Sequence, residues 1–156
     1  MTADNTSLVP AFVALQIGTR RIALPRARVA ELIVSPLQYT FPHTTPLIMG
    51  VVMRRGRIFP VLDLGPGVSG EPSRSTRSFL IVERRIADVD EKCAIPIQGQ
   101  CELVTGNMIA AEDRDGHVLG ILNLNGERIE VVDLDKTIAL GTANSAALIS
   151  SAEASS

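Results

Sequence analysis

The stretch GVVMRRGRIFPVLDL, Gly50 to Leu64, reads as a strand, a tight turn and a second strand, with three arginines gathered at the turn. Set against GILNLNGERIEVVDL, Gly120 to Leu134, it aligns without a gap. Gly50 faces Gly120, Gly56 faces Gly126, Val61 faces Val131, Asp63 faces Asp133 and Leu64 faces Leu134. Chance supplies about one identity in fifteen, because even common residues each form a small share of a chain. Several identities at one offset therefore mark an internal repeat. The arginines stand outside it: Arg54, Arg55 and Arg57 meet Leu124, Asn125 and Glu127.

A second pair of segments supports the repeat. Ile22 to Leu32, IALPRARVAEL, aligns with Cys93 to Leu103, CAIPIQGQCEL, through Ala23/Ala94, Pro25/Pro96, Glu31/Glu102 and Leu32/Leu103. The pairs keep the same order, so residues 1–140 read as two copies of a unit of about seventy residues, close to the smallest size that holds a core. The first copy spans about 12–64 and the second about 79–140. Between them GPGVSGEPSRSTRS, residues 65–78, is expected to be an exposed, mobile connection. The Ala/Ser-rich residues 141–156 read as a flexible tail.

Within each copy, short apolar runs punctuated by turn residues predict a β-meander. Strands are expected at Phe12 to Ile17, Arg21 to Leu24, Val29 to Val34, Gly50 to Met53 and Arg57 to Leu62, and again at Phe79 to Glu83, Cys93 to Ile97, Gln100 to Val104, Val118 to Leu124 and Arg128 to Val132. Asn125-Gly126 is a strong hairpin signal, since both residues tolerate the positive φ of a type I′ turn. Pro25 and Pro96 suit a strand start or edge, where a missing N–H is not needed. Asp133 suits the cap of a short helix, LDKTIAL. Strands this short and numerous expose many edges, which closure into small barrels removes. The expected fold is all-β, two small barrels side by side with a short helix near the C-terminus.

Composition sets limits on function. The chain has 156 residues, 46% hydrophobic and 21% charged, which suits an ordinary globular protein. It shows no 18-residue apolar run and no secretory layout at its start, so a cytoplasmic protein without membrane insertion is expected. Cys93 and Cys101 lack metal-site spacing and read as small buried or half-buried residues in two neighbouring strands. Charge is uneven: residues 1–66 carry a net +4 and residues 67–156 a net −6. Such a division would let the basic half of one molecule dock on the acidic half of another.

No catalytic constellation assembles. His43 and His117 lack a serine or cysteine nucleophile at a recognisable spacing, and no GxxxxGK[ST] loop occurs to cradle phosphates. Asp113 to His117 resembles the start of a calcium loop, but its twelfth position is Leu124 where a glutamate is required, so a polar turn is the better reading. No enzyme, cofactor or metal is expected. Arg20, Arg21, Arg26, Arg28, Arg54, Arg55 and Arg57 allow an alternative reading as a nucleic-acid-binding double barrel. Aromatics are too few for base stacking, and the acidic half would repel phosphate. Protein recognition suits the arginines better, because the guanidinium fork pairs bidentately with carboxylates and its stem covers apolar surface.

At these residues the sequence resembles the CheW-like adaptors of bacterial chemosensory systems, whose module also forms the regulatory domain of CheA-type histidine kinases. The family pattern "aipi..V.EI" is matched by IALPRARVAELI, and "P..i.GviNlRG.viPv.DL" by Pro46, Gly50, Val51, Arg55, Gly56, Pro60, Asp63 and Leu64. The family's closing hairpin and "LD..kl" helix correspond to Val118 to Leu140. The resemblance implies two five-stranded SH3-like barrels related by a pseudo-twofold. It also implies a non-catalytic adaptor joining the cytoplasmic tip of a methyl-accepting chemoreceptor to the kinase regulatory domain. Carried over by position, Val29, Glu31, Leu32, Arg55 and Gly56 are the implied partner contacts, and Arg54 and Arg57 flank them on the same turn. Departures at Met53-Arg54 and Gln98, and a short stretch from Val104 to Val118, point to a divergent member, such as one serving a type IV pilus system.

Overall fold

Runs such as AFVAL and CAIPI are apolar at consecutive positions rather than alternate ones, the pattern of strands buried on both faces. The computed structural model shows how both faces are covered. It describes residues 10–34, 36–40, 48–68, 70, 78–113 and 115–140. In chain order these are β1 (Ala11–Ile17), β2 (Arg20–Pro25), a 3₁₀ turn (Arg26–Arg28), β3 (Val29–Val34), β4 (Leu37–Thr40), β5 (Ile48–Arg54) and β6 (Arg57–Leu62). Then follow α1 (Gly65–Val68), β7 (Ser78–Ile86), β8 (Val89–Thr105), β9 (Ile109–Ala110), β10 (Val118–Leu124) and β11 (Glu127–Val132). A second helix, α2, occupies residues 134–140.

The strands sort into two groups with the same order. One runs β3-β7-β8-β6-β5-β4, using residues of β8 up to Ile97; the other runs β8-β1-β2-β11-β10-β9, using β8 from Gln98 onward. Each group has one parallel neighbour pair. Val61 of β6 lies beside Ala94 of β8, and Val131 of β11 lies beside Ala23 of β2. These four residues are two of the aligned pairs of the sequence repeat. The copies therefore exchange strands: β1 and β2 of the first copy join the sheet of the second, while β7 and the start of β8 join the sheet of the first. Spatial units thus do not coincide with the sequential division at about 64 and 79.

The exchange also redistributes charge. Among the described residues, the group built on 29–97 carries a net charge of 0 and its counterpart, 10–28 with 98–140, a net −2. The +4 and −6 of the linear halves meet inside one molecule, which removes the charge division that would have favoured docking between copies.

Three apolar clusters follow from this arrangement. Phe12, Ala23, Leu122, Ile129 and Val131 fill one sheet, and Phe79, Ala94, Val52, Phe59 and Val61 fill the other, position for position. Between them a larger cluster takes the opposite faces of the exchanged strands, including Val13, Leu15 and Ile17 of β1 and Cys93, Ile95 and Ile97 of β8. Leu64, just before α1, and Val68 of α1 enter it, as do Leu134 and Ile138 of α2.

Several sequence expectations are corrected here. Cys93 and Cys101 lie on one 17-residue strand, β8, not on two neighbouring strands. The strand continues through a bend at Gly99, whose φ of 67° lets it change partners. Pro96 sits inside this strand, opposite Phe79, and Pro25 ends β2 rather than starting it. The connection is not wholly exposed, since Gly65 to Val68 form a buried helical turn. Asp63 begins it, accepting the Gly65 N–H at 2.8 Å, as Asp133 accepts the Lys136 N–H at 3.0 Å at the start of α2. Asp113 accepts the Asp115 N–H at 3.0 Å, so the DRDGH stretch is a local polar turn. His43, residues 71–77 and the tail 141–156 lie outside the described residues.

Gly50 and Gly120 occupy matching irregularities, one between Ile48 and Gly50 and one between Val118 and Gly120, where the hairpin register shifts. A Cβ on Gly120 would lie 2.4 Å from the Ile109 carbonyl oxygen and 2.5 Å from Met108 Cγ. Gly120→Ala is therefore expected to destabilise the protein by about 1–3 kcal/mol, the usual cost of overpacking, read as a lower urea midpoint.

Candidate functional site: a basic cleft at the first hairpin

The β5–β6 hairpin closes with Arg54 opposite Arg57, leaving Arg55-Gly56 as a two-residue turn. Arg55 has φ 52° and Gly56 φ 75°; in the equivalent β10–β11 turn Asn125 has φ 51° and Gly126 φ 86°. Both are positive at both central positions, as type I′ turns require. Asparagine and glycine suit that geometry, whereas arginine is placed there against its backbone preference.

Strand β3 brings Glu31 to the same place. A register shift between Val29 and Glu31 sets Glu31 opposite Ile81 of β7. Its Oε2 lies 3.6 Å from an Arg54 guanidinium nitrogen, a loose ion pair with both side chains 38% exposed. Arg54 Nε is buried without a hydrogen-bond acceptor among the described residues. Together Glu31, Arg54, Arg55 and Arg57 border an open cleft of about 420 Å³. Lys92 of β8 adds a fourth cation, and Ala30, Phe59 and Ile81 complete the lining.

Of the residues singled out from sequence, the structure thus gathers Glu31, Arg54, Arg55 and Arg57, with Gly56 at the tip. Val29 instead packs against the central cluster, and Leu32 is exposed on β3, which among the described residues pairs only with β7. Lys92 and Ile81 escaped the sequence reading. The repeat held the signal for Lys92, because Arg21 stands at the aligned position and is also basic.

The pseudo-equivalent place in the other sheet is chemically different. Arg21 there is held between Glu127 at 2.7 Å and Glu102 at 2.9 Å, beside Val104, Leu124 and Asn125 in a recess of about 160 Å³. Other arginines of the first copy are also engaged internally: Arg20 with Glu130 and the Val68 carbonyl, Arg28 with Asp135 at 3.6 Å, and Arg26 with the Val29 carbonyl. Pairing of this kind takes these four arginines out of any free basic surface, and nothing in the arrangement favours nucleic-acid binding. Burial pushes the Cys93 thiol up to about 12, with the Arg84 guanidinium pulling the other way, so it is protonated and a poor nucleophile. No helix among the described residues is long and apolar enough to cross a membrane.

Two strand-exchanged sheets built from an internal repeat define a duplicated β-protein, and comparison with known proteins identifies its family. The CheW-like domain model matches residues 11–97, more than half of the chain, and the chain belongs to the CheW-like family. It is a chemotaxis coupling adaptor. Protein FrzA of Myxococcus xanthus is 29% identical over 138 residues, covering 81% of this chain and 84% of that protein. The crystal structure of the scaffolding protein TtCheW from Thermoanaerobacter tengcongensis is similar with a TM-score of 0.63 at 19% identity, covering 83% of this chain and 92% of that one. That likeness shows the fold, two SH3-like units related by a pseudo-twofold.

The turn geometry makes a prediction about stability. Arg55→Asn, which places at the first turn the residue found at the second, is expected to raise unfolding free energy by up to about 1 kcal/mol in urea titration, because it relieves an unfavourable left-handed backbone.

Proposed function

We propose that this chain couples the cytoplasmic tip of a chemoreceptor to the regulatory domain of a CheA-type histidine kinase by surface contact, without catalysis or a cofactor of its own. It acts in the cytoplasm. The contact surface comprises β3 and the tip of the β5–β6 hairpin, through Val29, Glu31, Leu32, Arg54, Arg55, Gly56 and Arg57.

One observation carries the assignment: the first hairpin keeps an arginine at a positive-φ turn position that its own counterpart fills with asparagine. The framework does not require arginine there, so its retention against the backbone preference points to use at the surface. Exposed apolar side chains on the same sheet, Leu32, Val34, Tyr39 and Ile58, provide the apolar area that an arginine-rich contact needs.

Reversing the charge tests the reading. Arg55→Glu is expected to leave the fold intact, since an exposed turn side chain contributes little to stability, and to reduce capture of a kinase regulatory domain in a pull-down. Unchanged capture would show the tip to be uninvolved, and loss of the folded state would show the arginine to be structural.

A further inference from the structure

The same cleft occurs twice in this molecule, once filled and once open. In the second sheet, Glu102 and Glu127 clasp Arg21 from either side. By the repeat and the matched strand pairing, Arg21 corresponds to Lys92, Glu102 to Glu31 and Glu127 to Arg57. Where the second cleft answers one cation with two carboxylates, the first sets four cations against the single carboxylate of Glu31. That carboxylate makes only a 3.6 Å contact with Arg54, whose Nε is buried and has no acceptor among the described residues. Arg55, Arg57 and Lys92 have no ion-pair partner among the described residues.

From this we infer that the cleft between β3, the β5–β6 tip and Lys92 is a receptor for carboxylates, and that its occupant is an acidic segment of a protein partner. The inference rests on the assignment of this hairpin as a partner contact and adds the chemistry of what it takes. The filled cleft shows the class of ligand, because carboxylates satisfy the equivalent cation there, and the guanidinium fork matches a carboxylate in two hydrogen bonds. Phe59 and Ile81 at the back of the cleft suit an apolar side chain between two acidic ones and give no exposed ring for a base to stack on. Glu31 then acts as a weak internal competitor, holding Arg54 until a partner's carboxylate arrives.

Fluorescence anisotropy on the full chain tests this with a labelled peptide in which glutamates flank a leucine, against the matched peptide carrying glutamines. The acidic peptide is expected to bind in preference, and more weakly as salt rises. Lys92→Gln and Arg54→Gln are each expected to weaken it about two- to fivefold, as loss of one partly exposed ion pair does. Glu31→Gln is expected to tighten it by a similar factor, and Arg21→Gln, in the filled cleft, to leave it unchanged. Equal binding of the two peptides, indifference to Lys92→Gln, or weaker binding on Glu31→Gln would overturn the inference. So would a single-stranded oligonucleotide that displaces the acidic peptide, or a self-association that Lys92→Gln abolishes. If kinase capture still depends on Arg55 while the acidic peptide shows no preference, the contact assignment stands and its carboxylate chemistry falls; a preferred acidic peptide with Arg55-independent capture is the reverse.

Discussion

Two short parallel contacts hold this architecture together: Val61 beside Ala94, and Val131 beside Ala23. Each joins the last strand of one copy to an early strand of the other. A parallel pair requires a long crossover between its strands, and here one runs from Val61 to Ala94 and the other from Ala23 to Val131. Neither copy completes its sheet alone, because β3 to β6 need β7 and β8, and β9 to β11 need β1 and β2. Alanine at both contacts, fully buried in each case, is small enough to let the neighbouring strand and the opposing aromatic or aliphatic side chains close over it.

That constraint explains which features were legible in the sequence. The Asp133 helix start and the hairpin turns are local signals, and each fell where expected, whereas the helical turn that Asp63 begins did not announce itself. The exchange was not legible, because a repeat reports that two segments are alike and not which one pairs with which. The continuous strand β8 was broken in two on paper by Gly99, whose positive φ bends the strand without ending it. The two-residue strand β9 carries too little pattern to stand out, and among the described residues β4 pairs only with β5. The charge division of the chain misled for the same reason, since it counted along the sequence what the fold mixes in space.

The candidate site was partly legible, through contrast rather than similarity. Positions that recur between copies proved to be framework: Gly50 and Gly120 at the register shifts, Gly56 and Gly126 at the turns, Val61 and Val131 in the interiors. Arg54, Arg55 and Arg57, which differ from Leu124, Asn125 and Glu127, line the cleft together with the recurring Glu31. Glu31 and Glu102 recur and both meet an arginine, yet not the corresponding one: Arg54 of the hairpin in the first case, Arg21 of β2 in the second. Conservation of a residue between copies thus preserved its demand for a cation while the source of that cation moved.

The basic cleft is consequently a product of both copies. Glu31 and the three arginines come from the first, whereas Ile81 and Lys92 arrive on β7 and β8 of the second. Strand β8 carries Lys92 at the first cleft and, past the bend at Gly99, Glu102 at the second. Between those points its residues Cys93, Ile95 and Ile97 are locked into the central cluster. The backbone of Lys92 is thereby held opposite the arginines, while its flexible side chain remains free to adjust to a partner. The strained tip at Arg55 is affordable because the ladder beneath it, from Arg54 with Arg57 down to Ile48 with Leu62, over-determines the turn.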